Sequence, residues 1–133
     1  MKIGNIKFKA KRLDNGEWVK GDLAHSLDGG LNIFGFTREN GVDCYSGVHL
    51  IDPETVCMFT GLKDCEGKEI WEGDTLSNVT DDSPAGIVVF KYGAFSLLAK
   101  NGRDFCIALT YLLSKKDSLN RFKVVGNKFD KEK

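Results

Sequence analysis

Residues 6–13, IKFKAKRL, alternate in character: Ile6, Phe8 and Ala10 fall on one side, and Lys7, Lys9 and Lys11 on the other. A period of two predicts a half-buried strand. The DNG that follows at 14–16 offers Asn15-Gly16 for the positive φ of a tight turn, and EWVKGDL returns as the partner strand, so residues 6–23 read as a β-hairpin. Turns are expected again at HSLDGG (25–30) and RENG (38–41), around a third strand LNIFGF (31–36) and a short fourth near Val42 to Tyr45. Pro53 should end or edge a strand, and VCMFTGL (56–62) is a short apolar run.

The second half continues in the same idiom. DTLSNV, GIVVFKY and AFSLLA read as strands, the last two joined at Tyr92-Gly93, with a further Asn-Gly turn at 101–104 and a closing strand FKVVGNKF. One helix is predicted, over 109–116, where Leu109, Leu112 and Leu113 share a face. About nine short strands broken by glycine-rich turns predict a mainly β fold: a small, partly open, SH3-like barrel in the C-terminal half and an N-terminal β-hairpin region. The absence of strand–helix alternation argues against a Rossmann-like or P-loop architecture. One domain over 1–130 is expected, divisible near residue 55 into a β-rich part (1–55) and a barrel part (56–130), with 131–133 as a solvated tail.

Composition narrows the function classes. With 133 residues and 41% hydrophobic positions the chain can bury a core, and its formal net charge of zero gives no global field toward nucleic acid or anionic membrane. The N-terminal residues lack an apolar leader core, and no apolar run approaches the roughly 20 residues of a membrane helix, so a cytoplasmic protein without membrane partners is expected. Cys44, Cys57, Cys65 and Cys106 form no CxxC pair, which predicts free thiols and no metal site, with Cys57 and Cys106 in the core and Cys65 exposed. His25 and His49 fall in no catalytic motif, and no cofactor motif is present: the Gly67-Lys68 pair lacks the other residues of a P-loop.

The densest stretch is GLKDCEGKEIWEGDTL, residues 61–76. Its carboxylates Glu66, Glu69, Glu72 and Asp74, followed by Asp81 and Asp82, could in principle bind a metal or act as acid and base. The spacing is not that of an EF-hand, Lys63 and Lys68 offset the charge, and Asp beside Gly is what turns use to bond their own backbone. The stretch is therefore read as turn-forming: Gly61, Asp64, Gly67, Lys68, Gly73 and Asp74 supply strand-to-turn geometry, with Gly126 and Asn127 as their counterpart near the end of the chain. Ile70 is its expected core residue.

The remaining candidate is a cationic face. Residues 1–12 carry five Lys or Arg and no acid, and Trp18 and Lys20 on the second strand should share a face with Lys7, Lys9 and Lys11. Such a face can stack and hold a nucleic acid, or it can be an ordinary solvated sheet surface with lysine stems lying on the indole. For a protein partner or self-association, Trp18 or Trp71 would be the natural exposed contact.

IKFKAKRLDNGEWVKGDL (6–23), DPETVCMFTGLKDCEGKEIWEGDTL (52–76), GIVVFKYGAFSL (86–97) and VVGNKFD (124–130) together resemble the YopX family of small phage and prophage proteins. The most specific part is ETV-x-x-FTGLKD-x-x-GKEI-x-EGD, joined by Gly126-Asn127. Residues 25–50 and 77–85 resemble it least, and Cys57 stands where the resemblance implies glycine. The resemblance implies a mainly β fold, a bacterial or phage setting, and no catalytic residue or cofactor. Function is left to two expectations: a non-enzymatic binding or adaptor module for a protein partner or a second copy, or a nucleic-acid binder using the Lys/Trp face.

Overall fold

The structure is a computed structural model and describes residues 2–100, 104–109 and 121–130. Its strands are β1 (Phe8–Lys11), β2 (Trp18–His25), β3 (Leu31–Glu39), β4 (Val42–Leu50), β5 (Cys57–Lys63), β6 (Glu69–Trp71), β7 (Asp74–Asn78), β8 (Pro84–Lys91), β9 (Ala94–Lys100), β10 (Asp104–Ala108) and β11 (Phe122–Asn127). They form two antiparallel sheets, ordered β4-β3-β2-β1-β5-β6 and β10-β9-β8-β7-β11. The protein is mainly β, and neither sheet closes into a barrel. The helix expected over 109–116 lies outside the described residues except at Leu109, as does the tail 131–133. The chain separates into two compact units, Met1–Phe59 and Thr60–Lys133, with β5 running from one into the other.

In the first unit β3 and β4 are longer than their sequence pattern suggests, because the turn between them is a tight one at Asn40 (φ 51°) and Gly41 (φ 78°). Positive φ at both central residues matches the twist of the flanking strands, so pairing runs up to the turn. The sheet curls without closing. Arg12 bridges Ile51, the Asp52 amide donates to the Lys11 carbonyl (2.9 Å), the Leu13 amide donates to the Leu50 carbonyl (3.0 Å), and the Ile51 amide donates to the Leu31 carbonyl (3.2 Å). Asp52 then caps the 3-10 turn Pro53–Thr55, accepting from the Glu54 amide at 3.1 Å. The segment after β4 is thus pinned between β3 and β1. The concave side it helps enclose is the core: Ala10, Val19, Ile33 and Ile51, with Phe8, Leu23, Leu31 and Val56 against them.

The core of the second unit is Ile70, Leu76, Val88, Leu97 and Leu109, backed by Leu62, Ala85, Phe95, Phe122 and Val124. Ile70 is buried as its pattern predicts. So is Trp71, at 2% exposure, which corrects the expectation of an exposed contact residue there. Cys57 is buried, Cys44 and Cys65 are half-buried, and the Cys106 side chain lies outside those described. No helix among the described residues is long and apolar enough to cross a membrane.

Candidate functional site

Two constellations carry the residues singled out by sequence. In the first, the 61–76 stretch, the carboxylates point into their own backbone. Asp64, 7% exposed, accepts from the Glu66 and Lys68 amides through Oδ1 (2.9 and 2.8 Å) and from the Val124 amide of β11 through Oδ2 (2.9 Å). Asp74 accepts from the Trp71 amide through Oδ2 (2.7 Å) and from Asn127 Nδ2 through Oδ1 (2.9 Å). Asn127 Nδ2 also reaches the Glu72 carbonyl (3.2 Å), and its Oδ1 accepts from the Phe129 amide (3.0 Å). Lys68 takes part through its backbone amide, while its side chain is exposed. Gly61 (φ 84°), Gly67 (φ 81°) and Gly73 (φ 86°) turn the chain between these bonds, and Gly126 sits at the bulge where β11 meets β7.

This geometry makes Gly73 a sharp test of the role. A Cβ there would stand 3.1 Å from Asn127 Nδ2 on a backbone that side chains rarely adopt. Gly73→Val is expected to cost about 2–3 kcal/mol of stability, read as a lower urea midpoint. An unchanged midpoint would show that the corner tolerates a side chain and that the stretch is not structural.

The other carboxylates do not converge. Asp81 accepts from the Ser83 amide and hydroxyl (3.0 and 2.6 Å), bonds that hold its carboxyl below the ordinary range. Asp82 pairs with Lys123, whose ammonium is correspondingly harder to deprotonate. Among the described residues no three His, Cys, Asp or Glu side chains come close enough to hold a metal ion. One pair has the reach of a nucleophile and base: Ser46 Oγ lies 3.2 Å from His49 Nε2. Ser46 is the extra residue of the β3–β4 bulge between Gly35 and Phe36, and Gly35 leaves room for its hydroxyl. Among the described residues no carboxylate bonds His49 to complete a triad.

The second constellation is the outer face of β1–β4. Register places Lys9 opposite Lys20 and Lys11 opposite Trp18. The ammonium groups of Lys9 and Lys11 each lie 4.7 Å from the Trp18 ring centroid, and that of Lys7 lies 4.7 Å from the Phe59 ring. Structure therefore brings Lys7, Lys9, Lys11, Trp18 and Lys20 together on one face. Trp18 is half-buried under lysine stems and Lys20 is exposed.

Sequence reading missed what continues this face. Asp22 stands opposite Phe34, Phe34 opposite Val48, Phe36 opposite Tyr45 and Asn32 opposite Leu50. Because alternate residues share a side, Phe34, Phe36, Tyr45, Val48 and Leu50 all lie on the Lys/Trp side. All five are exposed, Tyr45 by 59%, and the Phe36 and Tyr45 rings meet edge to face at 6.0 Å. The available signal was the exclusion of Ile33 and Gly35 to the other face, which forces Phe34 and Phe36 outward.

A small, mainly β protein with two open sheets, no converging carboxylates among its described residues and an apolar–cationic outer face is what the fold and sites define. The sequence profile of the family described as YopX protein matches residues 7–132, and the chain belongs to the YopX family. A search of curated proteins finds no match.

Proposed function

We propose that the protein is a non-enzymatic binding module of phage or prophage origin, working in the bacterial cytoplasm and docking another protein through the outer face of β1–β4. The observation that carries this reading is the row Phe34, Phe36, Tyr45, Val48 and Leu50. Five large apolar side chains stand exposed side by side on a regular sheet, where isolated exposure would call for no explanation. Rings on paired strands form a stiff surface that loses little entropy on binding. The second unit adds support by connectivity. β7-β8-β9-β10 run as a meander and β11 returns beside β7, the order of SH3-like folds, which serve binding in many settings.

A nucleic-acid reading is favoured by one observation, the interleaving of Lys9 and Lys11 with Trp18. The aliphatic Val48 and Leu50, which offer no stacking surface, weigh toward protein.

A photo-crosslinking amino acid placed at Phe36 or Tyr45, and at exposed Val125 of the second unit as control, tests the docking face in cells. The expected result is a discrete protein adduct from Phe36 and Tyr45 and none from Val125. An adduct of twice the chain mass would make the partner a second copy. No adduct from the face, or the same adducts from all three positions, would remove the face as a docking surface.

A further inference from the structure

We infer that the outer face of β1–β4 is built for an acidic amphipathic segment of another protein, one that carries apolar side chains along one edge and carboxylates along the next. The inference rests on the reading of this face as a protein-docking surface and names the chemistry of what docks.

The face is divided by strand. β3 and β4 present Phe34, Phe36, Tyr45, Val48 and Leu50, while β1 and β2 present Lys7, Lys9, Lys11, Trp18 and Lys20. Adjacent strands lie about 4.8 Å apart, so the lysine rows begin roughly 10 Å from the β4 row. That is close to the about 10 Å width of a helix or of two paired strands. One segment lying along β3 can therefore cover the apolar row and still reach the lysines with glutamate or aspartate side chains.

Charge selects the class of partner. The described charged side chains of this face are Lys7, Lys9, Lys11 and Lys20 against Asp22. A second copy could cover the apolar row, yet it presents the same excess of cations. A carboxylate-bearing partner gains attraction from every lysine within a Debye length. Lys9 and Lys11 are also held in place by the Trp18 ring. A carboxylate reaching them thus meets two ammonium groups already arranged, with less side-chain freedom left to lose.

Three probes separate the outcomes: a random glutamate–tyrosine copolymer, polyglutamate, and a single-stranded oligo-thymidylate, each fluorescently labelled and titrated at low and moderate salt. The copolymer is expected to bind best, and polyglutamate about tenfold more weakly for want of an apolar part. Lys9→Glu/Lys20→Glu and, separately, Phe36→Ser/Tyr45→Ser should each weaken copolymer binding by about tenfold. All four changes are at sheet-surface positions, and equal urea midpoints confirm the fold. Copolymer binding that persists in both variants, or equals that of polyglutamate, would overturn the inference, as would tighter binding of oligo-thymidylate. No copolymer binding together with a discrete crosslink at Phe36 would overturn the acidic partner while leaving the docking face standing. Loss of both would remove the face itself.

Discussion

Gly21→Ala is expected to unfold much of the N-terminal sheet, and Gly86→Ala to do the same to the C-terminal one. Gly21 lies in β2 opposite Gly35 of β3, and its backbone runs at φ 158°. A Cβ added there would stand 1.8 Å from the Phe34 carbonyl oxygen and 2.8 Å from its carbon. Both are backbone atoms of a paired strand, so no side chain can swing away. Relief requires β2 and β3 to separate where Val19 and Ile33 pack the core. Gly86 repeats the arrangement in β8: a Cβ would meet the Leu98 carbonyl oxygen at 2.3 Å on a backbone at φ 156°. Backbone strain costs ~1–3 kcal/mol and forced repacking a further ~1–3, giving about 4 kcal/mol. That is a large share of the about 5–15 kcal/mol that holds an ordinary domain. Urea unfolding followed by circular dichroism reads it directly. Gly4→Ala is the control, since nothing lies within 4 Å of its Cβ position and its backbone is unremarkable. Equal midpoints for Gly21→Ala and Gly4→Ala would mean that β2 and β3 do not approach this closely.

What the sequence could tell depended on the range over which its signals act. The alternation of Lys7, Lys9 and Lys11 with Phe8 and Ala10 is a local signal, and the outer lysine face follows from it. Asp64 and Asp74 beside glycines were legible as turn residues for the same reason, since most of their bonds are made a few residues away. Their long-range partners, Val124 and Asn127, lie 60 and 53 residues off and leave no local trace. Lys68 was assigned a part that only its amide takes. The Arg12–Ile51 bridge joins distant segments and decides how the N-terminal sheet curls; no spacing announces it. Trp71 was misread because charged neighbours surround it: Glu69 and Glu72 suggest a wet strand, yet β6 is three residues long and buries Ile70 and Trp71 in succession. LNIFGF was ambiguous in the opposite sense. A strand with large apolar residues on both faces has no polar alternation to mark the exposed side, and so the aromatic row of the candidate docking face stayed hidden. Residues around it resemble the family least, while the turn constellation coincides with the most specific family pattern. The shared part of the chain is thus the part that builds the fold, and the exposed apolar face lies where members can differ.

Asp74→Ala is expected to lower stability by about 3 kcal/mol, through the loss of a charged acceptor and the stranding of a buried donor. The carboxylate is 2% exposed and serves two elements: the Trp71 amide at the end of β6 and Asn127 Nδ2 at the end of β11. Removing it leaves the Trp71 N–H with no carboxylate oxygen in a site too buried for bulk water to replace it. Asn127→Ala should cost less, because the Asp74–Trp71 bond survives and the lost contacts are to Glu72 and Phe129 backbone groups nearer the surface. The pair should be strongly non-additive: the double variant loses the shared Asp74–Asn127 bond once, so its cost falls short of the sum by roughly 1 kcal/mol. Asp74→Asn sharpens the point. The amide keeps an oxygen for one donor but brings an NH2 group, so one of its two contacts becomes donor against donor. Asp74→Asn should therefore destabilise nearly as much as Asp74→Ala, although its shape is conserved. Urea midpoints for the three single variants and the double complete the cycle. Full stability in Asp74→Asn would mean that a neutral acceptor suffices and that the charge at position 74 is not what fastens β6 to β11. Additive losses in the double would mean that Asp74 and Asn127 act separately, and that the corner is held by the glycines and the sheet alone.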